Sequence, residues 1–396
     1  MSINNNSLAR LHWTFSITNA FYIGAQVDPV YAVYVVMALI IGIFIFDPNY
    51  IARCWSAQRD RLIWVFAVIA YAAFQALAFD YSFKATTAAH FASILLLVMV
   101  PKEERHIVSY PLIVTVTILN FLLIFTYFMS FGDLFWVENI GAYRFKSYFI
   151  EPSVAALFYA FTIVYIFSLS FEKRPKNFIP IVLMNILMIS LTASGSGFFI
   201  IACSLLFIGG KRYKISTVLG IFSFVIIIGL LLLGQISPEQ YQILLGDRID
   251  GILTGNVDNS ISLRFIAPWQ LLGVILDSIS HGMFGAGIGG LDSYVVNNLN
   301  WLTLFENFDR TTVVYVNNGY IAGFATLGLI GIIPFAIYLW SILKRLWKNH
   351  RSLAVFLFLY PFFAGFFISV VYWAMMQQCE DLAFASDENS DTVDEV

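Results

Sequence analysis

The sequence is a succession of long apolar blocks divided by short loops that carry the charge. A helix that crosses a bilayer needs about 20 apolar residues. Blocks of that kind fall near 10–25, 28–47, 62–79, 87–100, 107–129, 153–171, 178–193, 197–209, 215–234, 319–341 and 352–375. In hydrocarbon every backbone amide must be satisfied inside the protein, which leaves helices or closed barrels. A barrel would show alternating segments of about ten residues, and the blocks do not alternate. The expected fold is an all-α polytopic membrane protein with about 11 or 12 transmembrane helices. The seventh and eighth blocks are short and meet at Thr192-Ala-Ser-Gly-Ser-Gly197, as a helical hairpin would. The eleventh contains Pro361 and can be read as two half-helices.

Composition supports the same class. Hydrophobic residues make up 59% of the 396 and charged residues 12%, against about 25% charged in soluble domains. A soluble cytosolic enzyme and a disordered chain are both excluded. Cys54, Cys203 and Cys379 are widely spaced, and Cys203 lies in an apolar run. No disulfide framework or metal-type cysteine pair is expected. The N-terminal stretch, with His12, Thr14, Thr18 and Asn19, makes a poor signal-peptide core and a passable first helix.

The loops set the orientation. One alternate set of loops, with Arg10, holds 16 of the 22 Lys and Arg residues; the other holds Lys84, Arg144, Lys146, Arg248, Arg264 and Arg310. The positive-inside rule puts the first set in the cytoplasm. The outer face then receives 130–152 and the one long loop, 235–318. This divides the chain into transmembrane helices over 1–234, the outer loop over 235–318, C-terminal helices over 319–375, and an acidic tail over 376–396 expected to be disordered. Within the loop, Phe265, Trp269, Leu272, Leu276 and Ile279 follow 4-3-4-3 spacing. That predicts an amphipathic helix lying on the membrane or on the bundle. A tight turn follows at His281-Gly-Met-Phe-Gly-Ala-Gly-Ile-Gly-Gly290.

Cations on the outer face work against the topology signal, so each needs a reason. Arg310 has Asp309 beside it and Arg248 has Asp247, and such surface pairs are worth little. Arg264 has no carboxylate within five residues, which favours anion binding over snorkelling to headgroups. Arg144 and Lys146 precede Glu151-Pro152-Ser153. Proline and an acid at a helix start explain Glu151 without a function. They do not explain the two cations, which with Arg264 suit a pyrophosphate clamp. Ser194 and Ser196 sit in a small-residue turn best explained by close helix packing, with substrate lining as the lesser reading. His281 is a structural residue or a base with an ordinary pKa near neutrality. No carboxylate cluster has metal-ligand spacing and no phosphate-binding glycine motif is present. Neither a metal nor another cofactor is expected, nor a nucleic-acid partner.

Four patterns then occur in order on the outer side. They are Arg144 through Glu151-Pro152-Ser153, Leu191 through Gly197, Ser262-Leu-Arg264-Phe265 followed by an apolar helix and Phe284-Gly-Ala-Gly-Ile-Gly289, and Asn317-Asn318-Gly319 followed by Leu327-Gly-Leu-Ile-Gly331. Over roughly 107–375 the chain resembles the bacterial O-antigen and exopolysaccharide polymerases (Wzy type) and the related O-antigen ligases. It departs in two places. Gly195 stands where many members have Arg. Asn317-Asn318 stands where ligases place His before Asn, which favours the polymerase.

The resemblance implies an inverting, metal-independent glycosyltransferase at the periplasmic face of the bacterial inner membrane. Its substrates would be undecaprenyl-pyrophosphate-linked glycans, with a chain-length regulator and membrane lipid as partners. Arg264 and Arg144 would neutralise the leaving pyrophosphate, supported by Lys146 and Arg248. Glu151 or His281 would take the acceptor proton. Ser194, Ser196, Asn317, Tyr294 and Trp301 would line the glycan. A ligase of the same fold is the near alternative. A flippase for lipid-linked sugars is the distant one, although no half-to-half repeat is present.

Overall fold

The computed structural model describes residues 47–81, 85–100, 116–128, 135–139, 142–147, 152–169, 178–192, 194–207, 267–288, 318–363 and 370–391, with a few isolated positions besides. The protein is mostly helical, with two helices long and apolar enough to cross a membrane and several shorter apolar ones. In chain order these are α1 (Pro48–Ala78), α2 (Ala85–Val98), α3 (Val116–Phe128), α4 (Pro152–Ser168), α5 (Phe178–Thr192), α6 (Gly195–Leu206), α7 (Ala267–Asp277), α8 (Ile279–Phe284), α9 (Gly319–Asn349), α10 (Arg351–Leu359) and α11 (Val370–Asp391). The candidate spans are α9 and most of α1. The expected span near 215–234 lies outside the described residues, as do that near 10–25 apart from His12, most of 28–47 and the first part of 107–129.

Helix α4 is the centre of the bundle. Proline at its first position is set for a helix start. Nearly all its side chains are buried, from Ala155 and Leu157 through Ile166. A helix that is apolar all round belongs inside other helices, and α5, α6 and α10 pack around it. The α5–α6 hairpin turns at 192–195 as its small residues predict. A Cβ at Gly197 would come 2.8 Å from that of Ala156, so α6 lies against α4 closer than any larger residue allows.

Three differences from expectation have physical causes. The fold is not wholly helical. Trp136–Asn139 (β1) pairs antiparallel with Ala142–Phe145 (β2), Trp136 opposite Phe145 and Val137 opposite Arg144. A two-stranded hairpin is marginal alone; this one buries Trp136 and Phe145 in the core of the bundle.

Second, α11 runs as helix to Asp391, where acidic composition predicts disorder from Gln377. Its Gln377, Gln378, Glu380 and Asp381 are buried. Arg61 of α1 forms a 2.7 Å ion pair with Glu380, and Tyr338 of α9 donates to the same carboxylate at 3.3 Å. Those long-range partners order a segment whose composition alone would not.

Third, of the two placements expected for the α7 stripe, on the membrane or on the bundle, it does not take the second: Leu271 and Ile275 face inward, while Trp269 and Leu276 of the stripe are exposed, as is Ile279 at the start of α8. Both faces are apolar, so periodicity could not say which one packs on the protein. The break expected near Pro361 is present: α10 ends at Leu359, Tyr360–Phe362 is a 3-10 turn, and α11 begins at Val370.

At one end of the bundle His350 Nδ1 lies 3.1 Å from the Ser168 carbonyl, and Ser168 Oγ lies 2.8 Å from Ser352 Oγ. These contacts join the C-terminal end of α4 to the junction of α9 and α10.

Candidate functional site

At the opposite end, four stretches of chain converge. Arg144 leaves β2 and its Nε donates to the main-chain oxygen of Thr192 at 2.9 Å. Thr192 ends α5, where the last carbonyls lack helical partners and attract a cation. The hydrogen bond joins the hairpin to the turn that carries Ser194 and Ser196. Those hydroxyls are buried and 2.8 Å apart. Ser194 occupies the N-cap position of α6 without bonding a backbone amide there.

Below Arg144, the amides of Lys146 and Ser147 both donate to the carbonyl of Phe135, at 2.9 and 3.1 Å. Ser147 takes a left-handed backbone, φ +53, which costs a non-glycine residue free energy. Its hydroxyl donates to Asn120 Oδ1 on α3. Tyr159 of α4 reaches the same oxygen at 3.4 Å, and Asn120 Nδ2 donates to Val116. Lys146 is buried, and desolvation pulls its pKa below the ordinary lysine value.

The Ala156–Gly197 contact gives this end its electrostatic character. Ala156 is in the second turn of α4 and Gly197 in the first turn of α6. Two parallel helix N-termini therefore lie side by side. A helix N-terminus carries about half a positive charge. With Arg144 and Lys146 beside them, the site favours an anion.

A second constellation joins two of the sequence motifs. Helix α9 breaks at Gly328, whose φ is +63. The glycine turn after α8 docks into the break. Ala286 and Gly287 amides donate to the carbonyls of Ala325 (2.6 Å) and Thr326 (3.1 Å). From α1, Tyr71 OH reaches the carbonyls of Leu327 (2.7 Å) and Phe284 (3.0 Å). Gln75 Nε2 donates to Thr326 at 2.9 Å and also to Phe284, while its Oε1 accepts from the Ile288 amide at 3.2 Å. The break is thus closed by the chain's own groups, as backbone at membrane depth demands.

No protein-family model matches the chain, and no curated protein matches it.

The expected site residues therefore divide. Arg144, Lys146, Ser194 and Ser196 come together. His281 and Tyr294 belong to the other constellation. The His281 ring stacks on Phe79 at 4.8 Å, lies 4.8 Å from Tyr294, and has Ser278 Oγ 2.9 Å from Nδ1. Burial lowers its pKa, and burial with Asp277 nearby raises that of Tyr294. Its surroundings are those of a packed ring. Arg264, Glu151, Arg248, Asn317 and Trp301 lie outside the described residues. Sequence reading missed Gln75, Tyr71, Asn120 and Ser147. An amide inside an apolar block, as at Gln75 and Asn120, was the available signal.

Proposed function

We propose that this protein is a polysaccharide polymerase of the bacterial inner membrane, multi-pass, with its site on the periplasmic face. It joins undecaprenyl-pyrophosphate-linked repeat units by inverting, metal-independent glycosyl transfer. The observation that carries the reading is the paired N-termini of α4 and α6 beside Arg144 and Lys146. This cationic end belongs to the outer side of the positive-inside partition, where a leaving pyrophosphate would be found.

The chemistry follows from the charge. An acceptor hydroxyl oxygen attacks the anomeric carbon of the growing chain. The bond from that carbon to the lipid pyrophosphate breaks, and the pyrophosphate leaves with the electron pair. Arg144, Arg264 and the helix N-termini neutralise it as its charge develops, with Lys146 and Arg248 adding to the field. Glu151, next to the first residue of α4, takes the hydroxyl proton. His281 is a packing residue in this account, because its ring is enclosed by Phe79 and Tyr294. Ser194, Ser196, Asn317 and Trp301 contact the glycan.

A transporter reading finds less support. Broken helices in transporters line a substrate cavity, whereas the break at Gly328 is filled by the glycine turn and Gln75. The test is reconstitution of the purified protein in liposomes with lipid-linked repeat units. A ladder of lengthening glycan supports polymerisation. Transfer to an added acceptor without lengthening assigns a ligase, and translocation without new bonds assigns a flippase.

A further inference from the structure

The exposed edge of α9 changes chemistry along its length. Ile330, Ile333, Ile337 and Trp340 are exposed, Ile337 to 65% and Trp340 to 68%. Lys344, Trp347, Lys348 and Arg351 continue the same edge and are exposed too. Steps of three and four residues keep all of them on one face. Arg351 follows the end of α9 but stays on the edge. Its Nε donates to the Trp347 carbonyl at 3.3 Å, and its guanidinium lies 6.0 Å from the Trp347 ring centre. Phe207 of α6 packs on the same ring at 5.9 Å.

Length places the two halves at different depths. Beyond its break at Gly328, α9 runs from Leu329 to Asn349, so this part is about 31 Å long. The hydrocarbon core is about 30 Å thick. With the isoleucines in hydrocarbon, the tryptophans fall at the interface and the three cations among the headgroups. Between Asn318 and Phe363 there is no Asp or Glu. Among the described residues, Lys344, Lys348 and Arg351 have no carboxylate partner.

We propose that this edge is a binding site for an anionic phospholipid of the phosphatidylglycerol class, in the leaflet that meets the C-terminal end of α9. The lipid phosphate sits among Lys344, Lys348 and Arg351. The indole N–H of Trp347 donates to headgroup oxygens, and an acyl chain follows Trp340, Ile337 and Ile333. A second copy of this chain fits worse, because a twofold contact would set the same three cations against each other. The inference rests on α9 crossing the membrane and not on the polymerase reading.

Native mass spectrometry of the detergent-purified full chain tests it, with phosphatidylglycerol and phosphatidylcholine of matched acyl chains as probes. No glycan is present, so the outcome is separate from that of the polymerisation assay. Each surface cation contributes on the order of fivefold. The wild type is expected to bind its first phosphatidylglycerol on the order of a hundredfold more tightly than phosphatidylcholine. Lys344→Gln/Lys348→Gln/Arg351→Gln should shrink that preference to about twofold or less, and Lys348→Gln alone should cut it by roughly fivefold. Trp340→Ala should weaken both lipids alike. Arg53→Gln/Arg59→Gln, which removes cations from α1, should leave the preference unchanged. The proposal is overturned if the wild type does not discriminate, if the triple and single variants keep the wild-type preference, or if the α1 pair abolishes it.

Discussion

Arg144 and Thr192, 48 residues apart, are joined by a 2.9 Å hydrogen bond from the guanidinium Nε to the last carbonyl region of α5. The bond fixes the plane of the guanidinium above the α5–α6 turn. Lysine has no planar fork and no equivalent of Nε. Arg144→Lys should therefore keep the charge and lose its orientation. In the liposome assay it should fall between wild type and Arg144→Ala. The alanine variant should lose roughly a hundredfold in rate, the usual cost of one fixed donor to a developing anion. Equal rates for all three would remove Arg144 from the chemistry.

Gly328 and Gly285 meet where the glycine turn enters α9. Both have positive φ, and a Cβ on either would sit inside contact distance of the other segment's backbone. Gly328→Ala should destabilise the purified protein by at least about 3 kcal/mol. Gly273→Ala on α7 has open space around it and should be neutral or stabilising by up to about 1 kcal/mol. Thermal unfolding in detergent gives both numbers. A tolerated Gly328→Ala would mean that the docked turn does not persist.

The Arg61–Glu380 pair makes a different prediction. A fully buried pair costs about 3–5 kcal/mol when one partner is removed. The Arg61 side chain retains 25% of its surface against 6% for Glu380, so Arg61→Met or Glu380→Gln should cost about 2 kcal/mol instead. Arg61→Met with Glu380→Gln should recover most of that loss, because neither charge is then left alone. A double-mutant cycle on the melting curves checks it; additive losses would show that the two residues do not interact.

His281 predicts a pH dependence. Its ordinary value is 6.5 and burial lowers it in the folded protein. The unfolded chain then binds more protons, so stability is present above pH 6.5 and falls as pH drops toward the folded value. His281→Phe keeps the ring stack on Phe79, should retain polymerisation, and should flatten this part of the melting-temperature profile between pH 7.5 and 5.5. A dead His281→Phe at normal expression would return His281 to the position of general base.

Much of the helical pattern was legible because hydrophobic length and helix starts are local. Pro152, the small residues at 192–197 and Asn318-Gly319 each mark a boundary that the structure keeps. The hairpin was missed although Trp136 to Phe145 holds two short strands around Asn139 and Gly141. In a chain read for apolar blocks, strands of four residues carry little weight. The closures between Gln75 and Thr326 and between Arg61 and Glu380 were not legible, since those partners lie over 200 residues apart. Of the candidate site, Arg144 was found as a cation on the wrong side of the charge balance. Its seat on Thr192 and the pairing of the α4 and α6 N-termini depend on packing that no local pattern encodes.

The central claim is that outer-face cations carry a polymerisation step, and polymer length in a deletion strain measures it most directly. Glycan gels should be run with expression checked by blot. The account predicts single repeat units in the deletion strain and long polymer with the wild type restored. It predicts single units again with Arg264→Ala or Arg144→Ala, and near-normal polymer with Arg310→Ala, whose neighbour Asp309 offers local pairing. Long lipid-linked polymer in the deletion strain, or normal polymer from both Arg264→Ala and Arg144→Ala at normal expression, would contradict it.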